Sequence, residues 1–282
     1  MISPPLSYYG GKTKLGPRIA ALLPPHQHYV EPFAGGLSVL LAKTPSKMET
    51  LNDLDGRLMT FWRILRDRPD DLQRVCAMTP HSRGEYLACS DVDLDPVDDD
   101  LELARRVWVR LTQGRGGTQK RTGWRHYLAP RGSSIGMPGY LEAYVDRMAA
   151  ATERLARVSL ECRPALDVVE RYGAIADGVV LYVDPPYLGS TRSSRHYLVD
   201  MPDAGDHVEL LQALNRCSAA VVLSGYDSPL YTEALAGWHR QTFRAWTNGD
   251  AEGTRAGRDE VLWSNRPFPH HHQQLWTDEA TA

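Results

Sequence analysis

The chain has 282 residues, 42% of them hydrophobic and 24% charged, with a formal net charge of -3 at pH 7. That length accommodates one large α/β unit with a smaller insertion, and neither a bilayer-spanning apolar run nor a signal-peptide pattern is present, so a soluble cytoplasmic protein is expected. The mild negative charge excludes nucleic-acid binding by bulk charge; any such role has to rest on local basic segments.

Ser7 to Lys14, Ser-Tyr-Tyr-Gly-Gly-Lys-Thr-Lys, leads into a helical stretch marked by Leu15, Ile19, Leu22 and Leu23. Its Gly-Gly-Lys-Thr portion is not a P-loop, because Leu6 stands where that motif needs glycine and no buried strand precedes it. Two readings remain open: close approach of the backbone to a ligand at Gly10, with Tyr8 and Lys12 beside it, or a plain surface turn. His28 to Ser38 then gives a short strand, a glycine turn at Gly35 and Gly36, and a helix from about Ser38 to Lys43. The glycines admit a ligand close to the backbone, and Phe33 can lie against it. Glu49 to Asp53 reads as a second strand ending in a carboxylate, at the spacing where nucleotide-binding folds hold ribose hydroxyls. The competing role for Asp53 is to cap the helix from Asp55 to Arg66, but Asp55 is the better cap.

Phe61 to Val75 has helical periodicity, and Asp91, Asp93, Asp95 and Asp98 to Asp100 form an acidic stretch expected as a solvated loop. Leu101 to Leu111 again carries apolar residues at helical spacing, with Arg105, Arg106 and Arg110 between them. From Thr112 to Tyr140 come Gly114-Arg115-Gly116-Gly117, Lys120-Arg121, Trp124-Arg125-His126-Tyr127 and Arg131, and no acid occurs between Glu102 and Glu142. An acid-free basic segment interleaved with aromatics suits phosphate contact plus base stacking; the bland alternative is a flexible solvated loop. Arg110, Arg115, Lys120, Arg121, Arg125 and Tyr127 are the expected nucleic-acid contacts, with Arg115 or Arg125 suited to reading guanine edges.

Pro138 to Leu155 reads as a long helix, Val158 to Cys162 as a third strand and Ala165 to Tyr172 as a helix. Val179 to Val183 is a short β-branched run that delivers Asp184-Pro185-Pro186-Tyr187 to the carboxyl edge of a sheet, where open α/β folds place their ligands. Pro185 and Pro186 fix their own φ and lack N–H groups, so the turn is stiff and presents acceptors only. Acceptors beside the flat Tyr187 suit an amino group on a planar ring better than an anion. Gripping the hydrogens of such an amine favours the pyramidal nitrogen that can attack a methyl group. Asp-Pro-Pro also occurs in ordinary turns, so context decides. Leu188 to Tyr197 is polar and is expected to close over substrate, with Arg192 or Arg195 near phosphates. His207 to Leu214 and Pro229 to Leu235 read as helices, and Ala219 to Ser224, Trp238 to Ala245 and Glu260 to Ser264 as strands. His270 to His272 cannot converge easily on one ion, and Cys76, Cys89, Cys162 and Cys217 have neither paired nor metal-type spacing, so no metal is expected.

Tyr8 to Lys12, Glu31 to Gly36, Asn52-Asp53 and Asp184 to Tyr187, in that order, resemble the motifs of the Dam-like DNA adenine-N6 methyltransferases. The likeness extends to Leu223-Ser224-Gly225-Tyr226 and Asp259 to Asn265, and so covers both ends of the chain. It implies an α/β fold with a doubly wound mixed sheet of the S-adenosylmethionine-dependent methyltransferase type, built from residues 1–66 and 137–282, and an inserted, mainly helical target-recognition domain at 67–136. It implies cofactor contacts from Tyr8, Gly10, Lys12, Phe33, Gly35, Asp53 and Asp184, and a catalytic corner of Asp184, Pro185, Pro186 and Tyr187 holding an adenine flipped out of double-stranded DNA. One departure is Cys162-Arg163-Pro164-Ala165: similar proteins often carry a polar or acidic residue there, so the amino group of the cofactor's adenine has no assigned partner. The implied activity is site-specific methylation. Cytosine-N4 transfer needs the same acceptors and stacking face, and a DNA-binding relative without turnover is the alternative of a different class. A nicotinamide dehydrogenase is the weakest candidate, since the glycine turn lacks the full dinucleotide spacing. No protein partner is required by these motifs, and a monomer is expected.

Overall fold

The computed structural model describes residues 2–90, 98–118, 122–127, 135–188, 201, 203–246 and 257–269. Seven strands, β1 (His28–Glu31), β2 (Met48–Asn52), β3 (Ser159–Glu161), β4 (Val179–Val183), β5 (Ala220–Tyr226), β6 (His239–Trp246) and β7 (Gly257–Ser264), form one sheet in the order β3-β2-β1-β4-β5-β7-β6. The first five strands run parallel, while β7 lies antiparallel between β5 and β6, so the sheet is mixed, as the family resemblance implied. Chain order reverses between β1 and β4, which opens a crevice at their carboxyl ends.

Successive side chains of a strand point to opposite faces, and here each face has its own core. Tyr29, Val180, Tyr182, Val222 and Leu262 enter the first, against α1 (Gly16–Ala21), α2 (Ser38–Ala42) and α3 (Gly56–Asp67). Val30, Leu181, Val183, Val221 and Val261 enter the second, against α8 (Ala165–Gly173), α9 (Ala204–Asn215) and α10 (Pro229–Ala234). Each such buried aliphatic side chain contributes roughly 1.5–3 kcal/mol, so the alternation locks strand register and with it the residues at the strand ends.

Three local expectations change. The helix read through Phe61 to Val75 breaks at Arg68, because Pro69 has no N–H to continue the ladder and instead opens α4 (Pro69–Ala77). Asp91, Asp93 and Asp95 lie outside the described residues, and the end of the acidic stretch is helical: Asp99 caps α6 (Asp100–Gln113) by accepting from the Leu101 N–H at 3.0 Å, and Asp100 pairs with Arg63 at 2.7 Å. A further helix, α5 (Arg83–Ser90), buries Tyr86 and Cys89. Asp55 caps α3, accepting from the N–H groups of Arg57 and Leu58.

Residues 67–136 contribute Leu72, Cys76, Cys89, Val107 and Trp108 to the same buried cluster as Tyr29 and Val180. Trp108 also donates from Nε1 to the Pro5 carbonyl at 3.1 Å, and α7 (Gly136–Leu155) closes the layer. Among the described residues no helix is long and apolar enough to cross a membrane.

Candidate active site

A cavity of about 300 Å³ sits at the crevice between the ends of β1, β2 and β4. Its floor is the glycine turn after β1. Gly35 has φ +47°, a left-handed conformation that favours glycine, and a Cβ on Gly36 would lie 2.9 Å from Tyr8 Cβ. Three bonds pin this turn: Gly35 N–H to Asp53 Oδ2 at 3.0 Å, Ala34 N–H to the Asn52 carbonyl at 2.8 Å, and Trp62 Nε1 to the Gly35 carbonyl at 3.1 Å. Asp53 accepts a second backbone bond from Asp55 N–H at 3.0 Å, and burial pushes its pKa up to about 6. Glu31 also borders the cavity; burial raises its pKa well above the ordinary range, and Tyr29 donates to it at 2.8 Å.

The expected cofactor residues Tyr8, Gly10, Lys12, Phe33, Gly35, Asp53 and Asp184 all line this one cavity. Pro164, where the family pattern departs, lines it together with Ala165 and Leu166, giving an apolar wall. Asp206 and Glu209 of α9 border it too, and nothing in the local sequence marks them.

The Asp184 corner divides its four residues. Asp184 and Pro186 face the cavity, Pro185 is buried in the turn, and Tyr187 points into a second cluster beside it. Asp184 Oδ1 is held by Lys12 Nζ at 2.8 Å and by the Ser224 hydroxyl at 2.9 Å. Ser224 in turn lies 3.0 Å from the Tyr182 hydroxyl. One carboxylate oxygen is thus fixed from behind. Lys12 is a correction in emphasis: besides lining the cavity, its ammonium contacts Asp184, the Tyr187 hydroxyl at 2.7 Å and Glu260 at 3.2 Å. Burial by itself would lower the Lys12 pKa, but Asp184 and Glu260 outweigh it and hold the ammonium well above its ordinary value. The Tyr187 ring packs on Tyr226 with centroids 4.1 Å apart and planes 30° from parallel, and its hydroxyl donates to Glu260 Oε2 at 3.0 Å.

The expected nucleic-acid residues do not all reach the surface. Arg110 is 3% exposed and lies within the buried end of α6, so it is withdrawn as a phosphate contact. Trp124 is packed as well, stacked with His81 at 4.4 Å and His126 at 5.0 Å, with Arg83 over its ring. Arg115 is exposed. Arg125 donates to the Tyr127 hydroxyl at 3.0 Å and lies 5.2 Å from the Tyr140 ring centre. Arg147 covers Tyr144 further along α7 and donates to the Pro4 carbonyl at 3.3 Å. Lys120, Arg121, Arg131, Arg192, Arg195 and His270 to His272 lie outside the described residues. Among the described residues no group of three or more His, Cys, Asp and Glu side chains is arranged to hold a metal ion.

Ser224, Tyr226 and Glu260 stand in motifs of the family resemblance that assign them no role. The parallel register of β4 and β5, which pairs Val183 with Leu223, sets Ser224 beside Asp184, and the antiparallel register of β5 and β7, which pairs Tyr226 with Glu260, brings Glu260 to the same corner.

Residues 8–247 match the family described as D12 class N6 adenine-specific DNA methyltransferases. The Type II methyltransferase M1.LlaDCHI of Lactococcus lactis subsp. cremoris is 26% identical over 278 residues, which cover 94% of this chain and 95% of that protein. Among solved structures, the rRNA methyltransferase aviRa of Streptomyces viridochromogenes overlaps at a TM-score of 0.36 with 14% identity, over 89% of this chain and 84% of that one. A methyltransferase of Geobacter sulfurreducens overlaps at 0.34 with 12% identity, over 89% and 76%. Both overlaps are loose, and the fold assignment rests on the strand order itself. Because the family match runs from the first glycine turn past the Asp184 corner, the chain belongs to the D12 class of N6 adenine-specific DNA methyltransferases, and it methylates N6 of adenine in DNA with S-adenosylmethionine as donor.

Proposed function

We propose that the substrate is duplex DNA, that the target adenine is turned out of the stack, and that its amino group is received by the free edge of Asp184 and the acceptors of the Pro185-Pro186 turn. The observation carrying this reading is the tethering of Asp184: Lys12 and Ser224 hold Oδ1, and no described residue donates to Oδ2, on a residue that also borders the cavity. An amine donor fits the remaining oxygen. The adenine amine is a weak nucleophile because its lone pair is delocalised into the ring; acceptors on its hydrogens localise that pair, and the stiff turn supplies them without reorganisation. A duplex carrying 2-aminopurine at the target position is expected to brighten several-fold on binding, since unstacking relieves quenching. Unchanged fluorescence with tight binding would contradict base extrusion.

The cavity fits the donor. Asp53 offers acceptors for ribose hydroxyls, Phe33 and Leu166 give apolar walls for the adenine, and the backbone at Gly10 and Gly35 permits close approach. S-adenosylmethionine supplies the electrophilic methyl carbon on a sulfonium. The Asp53 pKa of about 6 means its carboxylate is complete only above that pH. Cofactor affinity is therefore expected to weaken as pH falls through about 6, and Asp53→Asn to flatten that dependence; calorimetric titration across the range checks it, and an unchanged profile in the variant assigns the titration elsewhere.

DNA contact is proposed for the row formed by Tyr127, Arg125, Tyr140, Tyr144 and Arg147, with Arg115 nearby in sequence, because it interleaves cations with aromatic faces. A second cavity lined by Tyr144, Arg147, Ser7 and Thr13 shares Tyr8 and Gly11 with the first, so the row runs toward the reaction site. Arg125→Ala with Arg147→Ala is expected to weaken duplex binding and reduce the log–log salt slope by about 0.9 per lost phosphate contact. An unchanged slope moves the DNA surface elsewhere. The likeness to a Type II methyltransferase supports a role beside a restriction enzyme.

A further inference from the structure

Glu260 has no part in the reading above, yet it is among the most costly residues in the site to place. Along β7, Glu260 and Leu262 share the sheet face that carries Tyr182 and Val222, so a carboxylate stands where the alternation calls for an apolar side chain. It is 3% exposed. A carboxylate buried this deeply needs charged or hydrogen-bonding partners. It has Lys12 Nζ at 3.2 Å, and the Tyr187 hydroxyl at 3.0 Å from Oε2 and 3.3 Å from Oε1.

The charge count is informative. Lys12 is one cation between two carboxylates, Asp184 and Glu260, so the cluster carries surplus negative charge. During methyl transfer the carbon–sulfur bond breaks with its electrons on sulfur, the nitrogen lone pair forms the new bond, and positive charge passes from sulfur to N6. N6 then sheds one proton, which passes to solvent water. A fixed negative surplus behind Asp184 favours that displacement of charge. The phenol contact has a second effect: together with Lys12 at 2.7 Å it anchors Tyr187 by its far end, adding to the packing of the ring against Tyr226.

We propose that Glu260 is a positioning residue for methyl transfer: it holds Lys12 and the Tyr187 phenol in place, and its charge completes the negative field facing the adenine amine. The proposal rests on Asp184 receiving that amine. The groups facing Glu260 are Lys12 from the N-terminal loop and Asp184 and Tyr187 from the corner after β4, with Tyr226 opposite it on β5. Burial raises the Glu260 pKa, Lys12 opposes the rise, and Asp184 adds to it. The charged form is the one that contributes, so activity should decline as pH falls through a value above the ordinary carboxylate range.

The test compares Glu260→Gln, Glu260→Asp and Asp184→Ala in single-turnover transfer to duplex DNA, with cofactor affinity and thermal unfolding as controls for folding. Glu260→Gln is expected to lower kcat by about 10- to 100-fold with less than about threefold change in KM for DNA, to shift or abolish the acid inflection, and to be partly rescued by Asp. Wild-type kcat and an unmoved inflection in Glu260→Gln, with Asp184→Ala inactive, would overturn the role of Glu260 alone. An active Asp184→Ala would overturn the reading beneath it. If Glu260→Gln does not fold, Tyr187→Phe removes the hydroxyl's bonds to Glu260 and Lys12 together; a loss of kcat there supports the anchoring of the ring and full kcat overturns it.

Discussion

Asp184→Ala is expected to reduce single-turnover methyl transfer by at least about 1,000-fold while duplex affinity changes less than about threefold, because the removed oxygen acts on the amine and the phosphate contacts are elsewhere. The fold should tolerate the change. Without Asp184, Lys12 still pairs with Glu260 at 3.2 Å, so no isolated charge is left buried. Rapid-quench measurement with labelled donor separates the chemical step from binding. Turnover within tenfold of the parent would remove Asp184 from the chemistry, whereas a parallel collapse of DNA binding would make its role one of general structure.

Lys12→Met has the larger effect on stability. It leaves Asp184 and Glu260 as neighbouring carboxylates in a buried cluster, and breaking a buried ion pair this way costs about 3 kcal/mol or more. For a chain of this size that corresponds to roughly 6–12 °C in Tm. The sign of the pH dependence follows from Glu260. Its folded-state pKa already lies above the ordinary 4.5, and loss of Lys12 removes the charge that opposed the rise. A carboxyl with a raised pKa contributes stability that is fully present below its unfolded value and is lost as pH rises through the folded one. The variant should therefore approach the parent in stability under acid conditions and fall behind it toward neutral pH. Lys12→Met with Glu260→Gln should recover part of the loss. Thermal melts at several pH values decide this; a penalty independent of pH would mean that packing, not charge, sets the cost.

The parts legible in the sequence were those written in contiguous residues. The Val179 to Val183 run placed Asp184 at a strand end, the Gly35-Gly36 turn placed a ligand-facing loop, and ordered motifs supplied the family that now selects adenine over the cytosine-N4 alternative. What escaped depended on long-range pairing. Glu260 meets Tyr187 across 73 positions and Ser224 meets Asp184 across 40, and no local pattern reports either. Arg110 was misplaced for a different reason. Val107, Arg110 and Leu111 share one face at i, i+3 and i+4, so its position on the apolar stripe of α6 was readable but was outweighed by the basic character of the segment. Trp124 shows the converse: an aromatic read as a stacking platform supports its own loop through His81 and His126.

The central claim is that the Asp184 carboxylate, pinned on one side by Lys12 and Ser224, receives the amino group of an extruded adenine on the other. A crystal structure with duplex DNA and an unreactive sulfonium analogue measures this directly. The expected result is an adenine outside the helix, its N6 within hydrogen-bond distance of Asp184 and facing the analogue. A target base still stacked in the duplex, or one whose amine is held by groups other than Asp184 and the proline turn, would contradict it.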